Sequence, residues 1–388
     1  MKPVQEILSA KCFKAALVPS LVVAALGVAL WIYQGVAGMG VTNMSDSNPW
    51  GLYLMAFMFT VGVAVGGLLV SSLVQLSKGS EFKGLSKLGA WVAISAAVLS
   101  FGFVIVDLGG PLRVWELFVY SNLSSPLMWD IFALPLFSIV AIAQLWTLMR
   151  FDAGKASEKA VRIVSFVALV ASIALCVVDA WIFGLLPGRA LWNTALLGPW
   201  FLAAAVASGL AVVMLLVKLT EKSDAFALPA DAMSKMGRIL MGAVVVDLLC
   251  LVCDLMVGAY AGAAHADTVA VLMFGQLAPV FWIEVACSVA AIALLACVGK
   301  GSATIIAPVL VLVSIFCKRI QFMISGFLSM QMPYPGVETA GTIEVMPLTA
   351  PLYCPSLVEM GVTVAVIALG VALLAVGLRM LPLAAAKN

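Results

Sequence analysis

Histidine is almost missing from this chain: its 388 residues contain one, His265. Membrane-bound haem b usually takes its iron ligands from two helical histidines, so a haem of that kind is excluded. Charge is scarce as well. Charged residues make up 10% of the chain and apolar ones 64%, whereas a soluble protein carries about a quarter charged residues. That imbalance leaves the bilayer as the natural solvent. A net charge of +2 offers nothing to nucleic acid. Cysteine occurs eight times but without a ligand pattern. Cys250 and Cys253 form a lone C-x-x-C inside an apolar run, and read as small apolar helix residues rather than as a metal or redox motif. Any electron transfer here would therefore use cofactors on a partner, or a quinone held between helices.

What is present is hydrophobic length. Ten apolar stretches lie near 15–36, 50–75, 88–108, 127–149, 161–183, 196–217, 236–258, 278–298, 303–325 and 356–380. Each is long enough to cross about 30 Å of hydrocarbon. Inside that layer the backbone must satisfy its own hydrogen bonds, which predicts helices and an all-α polytopic membrane protein. The first stretch follows Lys2, Lys11 and Lys14 and imitates a signal peptide. Its apolar run is longer than a signal core and no small-residue cleavage site follows, so it is expected to be retained. The chain divides into an extra N-terminal helix (1–49), two four-helix bundles (50–183 and 184–325), and an outer loop with a C-terminal helix (326–388).

Basic residues orient the chain. Seventeen of the 21 lie at the N-terminus, at the C-terminus or after even-numbered spans, including Lys78, Lys83, Lys87, Arg150, Lys155, Lys222 and Lys300. The opposite loops hold only Arg113 and Arg189, and Lys318 and Arg319 fall inside span nine. The positive-inside rule then predicts a plasma (inner) membrane protein with both termini cytoplasmic.

The outward half is chemically distinct. It holds all six tyrosines and all the tryptophans except Trp91 and Trp146. Interfacial belts normally occupy both membrane faces, so the asymmetry suggests an outward docking surface or an aromatic pocket. Ionisable residues within the spans follow the same polarity. Asp107, Asp179, Asp254, Glu284, Lys318, Arg319 and Glu359 sit toward the outer side, with Asp247 deeper. Intramembrane charges usually line a site or a proton path; the plainer reading is ion pairs that fix helix packing. Lys318 and Arg319 are the available counter-ions, and Asp247, the deepest acid, is expected to be the one without a partner. Gly62 and Gly66 form a G-x-x-x-G, a helix-packing motif. A repeat is also visible: Trp50 precedes Gly67 by seventeen residues, and Trp192 precedes Gly209 by seventeen.

The loop after span three reads Asp107-Leu108-Gly109-Gly110-Pro111-Leu112-Arg113, then Trp115. It continues through Asn122-Leu123-Ser124-Ser125-Pro126 to Trp129. Gly109-Gly110-Pro111 ends one helix and Pro126 suits the first turn of the next. This segment resembles the D-L-G-x-P…S-S-P pattern of the NrfD/PsrC family of quinone-interacting membrane subunits. Asn48-Pro49-Trp50-Gly51-Leu52-Tyr53 leading to Gly66-Gly67, and Leu191-Trp192-Asn193 leading to Ser208-Gly209, are similar to two of its core helices. The helix at each end, with Tyr353-Cys354-Pro355-Ser356 and Glu359 opening the last, resembles the ten-helix branch.

The resemblance implies a subunit without its own haem or metal that binds menaquinone or ubiquinone near the outer face. There it would exchange electrons with a ferredoxin-like iron–sulfur subunit holding four-iron clusters, within a complex that also has a molybdopterin catalytic subunit or a multihaem cytochrome. It implies that Asn48, Trp50, Tyr53, Asp107 and Arg113 border the quinone. Two departures stand out: no histidine is available to the pocket, since His265 is expected in a later outer loop, and Asp130 stands where a small residue is expected. Asp107, a carboxylate in a partly dry pocket, is the candidate proton acceptor. Tyr53 or Asn48 would donate a hydrogen bond to the ring, and Trp50 or Trp129 would pack on it. Asp247, Asp254 and Glu284 with Lys318 and Arg319 are the candidate proton path. A secondary transporter is the competing class, and a passive anchor a third. Transporters usually bind near the midplane on interrupted helices, whereas these polar groups gather toward one face.

Overall fold

The computed structural model describes residues 7–45, 48–77, 81–187, 189, 191–221, 226, 228, 231–260, 263–297, 301–328 and 353–383. Ten helices in it are long and apolar enough to cross a membrane. They are α1 (Ala10–Ala37), α2 (Leu52–Leu76), α3 (Ser86–Asp107), α4 (Pro126–Asp152), α5 (Glu158–Gly184), α6 (Leu197–Leu219), α7 (Ala232–Tyr260), α8 (Ala278–Cys297), α9 (Ala303–Leu328) and α10 (Leu357–Met380). No strand occurs among the described residues. The chain is an integral multi-pass membrane protein. Lys2, Lys78, Lys222, Lys300 and Lys387, part of the orientation argument, lie outside the described residues.

Local sequence sets the helix ends. Ser157 caps α5 by accepting the Ala160 amide at 3.2 Å, and Pro126 occupies the first turn of α4 after Ser125, where its missing N–H costs nothing. Ser356 and Glu359 form a reciprocal capping box at the start of α10. Gly38, at φ +85°, closes α1 with its amide bonded to the Gln34 carbonyl at 2.8 Å.

Helices α2, α3, α4 and α5 pack as a closed ring, and α6, α7, α8 and α9 as a second. The rings meet along α2 and α6, with α5 against α6 and α9 against α2. Helix α2 is the axis of the molecule: 83% of its apolar window is buried inside the protein, against 11% for α1. Although α1 and α10 come from opposite ends of the sequence, they pair with each other, and α10 lies on α3 and α2.

The two glycine signals meet at the seam. A Cβ on Gly66 would lie 1.9 Å from the Ala205 carbonyl oxygen, and one on Gly209 would lie 2.3 Å from the Gly66 carbonyl carbon. Only glycine lets the two backbones approach so closely. The tryptophans of the repeat also meet, with Trp50 stacked on Trp192 at 5.9 Å between ring centroids and 21° between planes. Equivalent points of α2 and α6 thus face each other across the seam. The contact of α5 with α6 has its counterpart in that of α9 with α2, as a duplicated bundle requires.

Candidate functional site at one end of the first bundle

The N-terminal ends of α2 and α10 and the C-terminal end of α3, with the loop before α2, bring together a buried polar group. Glu359 is fully buried. Its Oε2 accepts the Asn43 amide at 3.0 Å and the Ser356 amide at 2.8 Å. Its Oε1 accepts the Tyr353 hydroxyl, which in turn accepts the Leu52 amide at 2.8 Å. Gly51 makes room for this: a Cβ there would lie 2.5 Å from the Tyr353 hydroxyl and 2.7 Å from Glu359 Oε1. Burial, then the hydrogen bond to Glu359 and its charge, push the Tyr353 hydroxyl well above its ordinary range, so it stays a donor.

Beside this group, the buried Tyr53 hydroxyl donates to Gln34 Oε1 at 2.6 Å, and Gln34 Nε2 donates to the Val106 carbonyl at 2.9 Å. Asp107, the next residue, ends α3 within electrostatic reach of both Tyr53 and Glu359. Its Oδ1 is buried and has no hydrogen-bond partner among the described residues. A buried carboxylate oxygen left open is costly and marks a place where a ligand atom or proton belongs.

Two spaces are lined by near neighbours of Asp107 in the chain. Phe103, one turn earlier, lines a crevice of about 300 Å³ between α2, α3, α9 and α10. Leu108, the following residue, lines an open outer groove with Arg113, Glu116 and Tyr120.

Several expected residues are placed elsewhere. Arg113 is exposed and forks onto Glu116 with two 2.8 Å bonds, so it is not the counter-ion of Asp107. That pairing holds its guanidinium above its ordinary range. Trp50 is built into the seam, packed on Phe183, Trp192 and Phe327. Trp129 bonds the Leu123 carbonyl at 2.7 Å and packs edge-on to Trp181. Neither indole lines the crevice. Asn48 exchanges backbone hydrogen bonds with Ser45 at 3.0 and 3.1 Å, shaping the loop ahead of α2. Gln34 is the member the sequence reading missed. Its signal was present: a lone amide in the last turn of an otherwise apolar span.

The second ionic group lies between α7, α8 and α9 and corrects one expectation. Asp247 is the acid that is paired: Lys318 donates to its Oδ1, and both side chains are almost fully buried. Depth compelled that pairing, because an isolated charge there has no water to solvate it. Lys318 also lies over the Trp200 ring at 4.5 Å. Glu284 is fully buried, and neither carboxylate oxygen has a partner among the described residues. Arg319 caps the Phe201 ring at 3.9 Å, with Nε and Nη1 unpartnered among the described residues. It lies within electrostatic reach of Asp179, Asp247 and Glu284, so it spans the two bundles. Asp179 in turn faces Asp130, and each has a buried oxygen without a described partner. Asp254 is half-buried beside Lys318, Gln321 and Ser325 around a void of about 30 Å³, room for about one water.

His265 lies on a helix, Ala263–Phe274, rather than in a loop. Cys250 is buried and Cys253 exposed, one turn apart on α7. Among the described residues no cluster of three or more histidine, cysteine or acidic side chains is placed to hold a metal ion.

Comparison with known proteins agrees with this architecture. The chain is 27% identical to a Halobacterium salinarum protein named for a membrane subunit of dimethyl sulfoxide reductase, over 92% of this chain and 88% of that one. It is 22% identical to a subunit of the selenate reductase of Mesobacillus selenatarsenatis, over 93% and 92% of the two chains. Over 45% of its length it is 26% identical to the Hdr-like menaquinol oxidoreductase integral membrane subunit of Archaeoglobus fulgidus, and the match spans 43% of that protein. The family model for polysulphide reductase NrfD matches residues 40–331, from the loop before α2 to just past α9. On that match, and on two four-helix rings that fill the matched region, the chain belongs to the NrfD polysulphide reductase family.

Proposed function

We propose that this chain is the quinone-reactive membrane subunit of a respiratory oxidoreductase complex. One observation carries the reading: a buried carboxylate oxygen on Asp107, without a partner among the described residues, lies one helical turn from an apolar crevice. A ring bearing two oxygens on a hydrocarbon tail needs those two environments side by side. The relatives named for dimethyl sulfoxide reductase, selenate reductase and menaquinol oxidoreductase support it.

Oxidising a quinol releases two electrons and two protons. Asp107 accepts a proton at its open oxygen and passes it to the groove beginning at Leu108. Tyr53 and Gln34, bonded to each other, offer their remaining oxygen lone pairs as acceptors beside it, and Glu359 with Tyr353 fixes α10 against α2. The electrons leave to a ferredoxin-like iron–sulfur subunit docked on the outer face, in a complex completed by a molybdopterin subunit or a multihaem cytochrome. The chain lies in the plasma membrane with both termini cytoplasmic, and its two bundles divide the work. The second carries a proton-linked path through Asp254, Asp247, Lys318, Glu284 and Arg319.

Asp107→Asn tests the reading in the intact complex. Loss of a general base costs about 10²–10⁴-fold in rate, so quinol turnover should fall by that order while subunit stoichiometry stays normal. Near-normal turnover in an assembled complex would remove Asp107 from the chemistry.

A further inference from the structure

We infer that the apolar crevice is a binding channel for the isoprenoid tail of the quinone, and that α10 is the wall which completes it. The inference rests on the quinone reading and adds to it where the tail lies. Ala56 and Phe103 line the outer end of the crevice. They stand three and four residues from Tyr53 and Asp107 on the same two helices, about one turn in each case. From there the lining runs down α3 to Val92, about 16 Å at the helical rise. The channel thus begins at the polar group and descends toward the middle of the bilayer.

Its lining is hydrocarbon almost throughout, so only a hydrocarbon occupant fits. A space of about 300 Å³ is also far larger than the gaps a close-packed interior leaves. The side from which a tail would enter is visible too. On α10, Ile367 and Val371 line the crevice while remaining 45% and 44% exposed, so the rim opens laterally toward lipid. Gly370, between them in the lining, fixes the spacing: a Cβ there would lie 2.5 Å from a Leu99 methyl of α3. Helix α10 lies beyond the region matched by the family model. The tail channel is therefore built partly by an element outside the matched core. A phospholipid acyl chain shares the same chemistry. The placement of its end one helical turn from both Tyr53 and Asp107 favours the quinone tail.

The experiment compares a menaquinol bearing an isoprenoid tail with menadiol, the same ring without one, using the intact complex in nanodiscs. Ala96→Phe places a ring within the crevice; Val371→Trp fills its rim from an exposed position where folding is not at stake. The ratio of KM for the tailed quinol to KM for menadiol should rise roughly tenfold in each, the equivalent of about two methylenes kept from burial. If Ala96→Phe fails to assemble, Val371→Trp alone decides. An unchanged ratio overturns the channel, while the quinone reading is decided separately by quinol turnover of the Asp107→Asn complex. An unchanged ratio together with loss of a copurifying phospholipid would assign the crevice to a lipid chain, which also overturns it. A wild-type complex that oxidises neither quinol overturns the quinone reading and the channel with it.

Discussion

The end of the first bundle that meets Glu359 and the interior of the second both bury carboxylates, and they hold them by opposite means. Glu359 is held by neutral donors: two backbone amides and the Tyr353 hydroxyl. Asp247 is held by a cation, Lys318, with Arg319 close by and with Glu284, which has no hydrogen-bond partner for its carboxylate among the described residues. Neutral donors steady a carboxylate without introducing a fixed opposite charge, which suits a site for an uncharged ring. Cations and acids interleaved in low dielectric respond to one another's protonation, the arrangement found where protons or ions cross membranes. The proposed function places ring chemistry in the first region and charge movement in the second.

The largest effect that sharpens this division is on coupling. Glu284→Gln removes the buried acid that has no hydrogen-bond partner among the described residues, and so is a cleaner probe than the paired Asp247. It should leave quinol turnover in detergent intact and abolish the membrane potential generated in proteoliposomes. Unchanged coupling would reduce the second region to a packing device.

A smaller effect concerns stability. Asp247→Leu strands the Lys318 charge, and breaking one side of a buried pair costs about 3–5 kcal/mol. Combining it with Lys318→Met should recover most of that loss, read as the thermal midpoint of the purified protein. If the double variant is no better than the single, the pair is not the unit that stabilises this region.

The smallest effect tests the seam between the regions. Gly209→Ala drives a methyl into the Gly66 backbone, an overpacking worth about 1–3 kcal/mol. The thermal midpoint should fall while both subunit assembly and quinol turnover persist. An unchanged midpoint would mean that α2 and α6 can separate freely, and that the bundles are less tightly joined than the glycines imply.

Much of the fold was legible because bilayer physics is local. Twenty or so apolar residues and an internally bonded backbone define a span wherever it occurs, and every expected span has its helix within a few residues. The repeat was legible for a similar reason: Trp50 and Gly67, and Trp192 and Gly209, recur at one spacing, and at the seam the two tryptophans stack while Gly209 packs on the Gly66–Gly67 backbone. The site was legible only in part. Asp107 and Tyr53 stood in a recognisable segment, but Arg113 and Trp50 stood there equally and point elsewhere. Sequence spacing gives the helix face of a residue only to within a turn, and loop residues have no periodicity to orient them.

Sequence alone determined the number of spans, the scarcity of metal ligands, and the gathering of acids and aromatics toward one face. These follow from composition and one-dimensional order. Tertiary structure alone decided that α1 and α10 pair and bring Gln34 and Glu359 to the end of α2. It also decided that Asp247 rather than another acid takes Lys318. Those are choices among partners tens to hundreds of residues apart. They are fixed by which helices touch, and no local pattern encodes that.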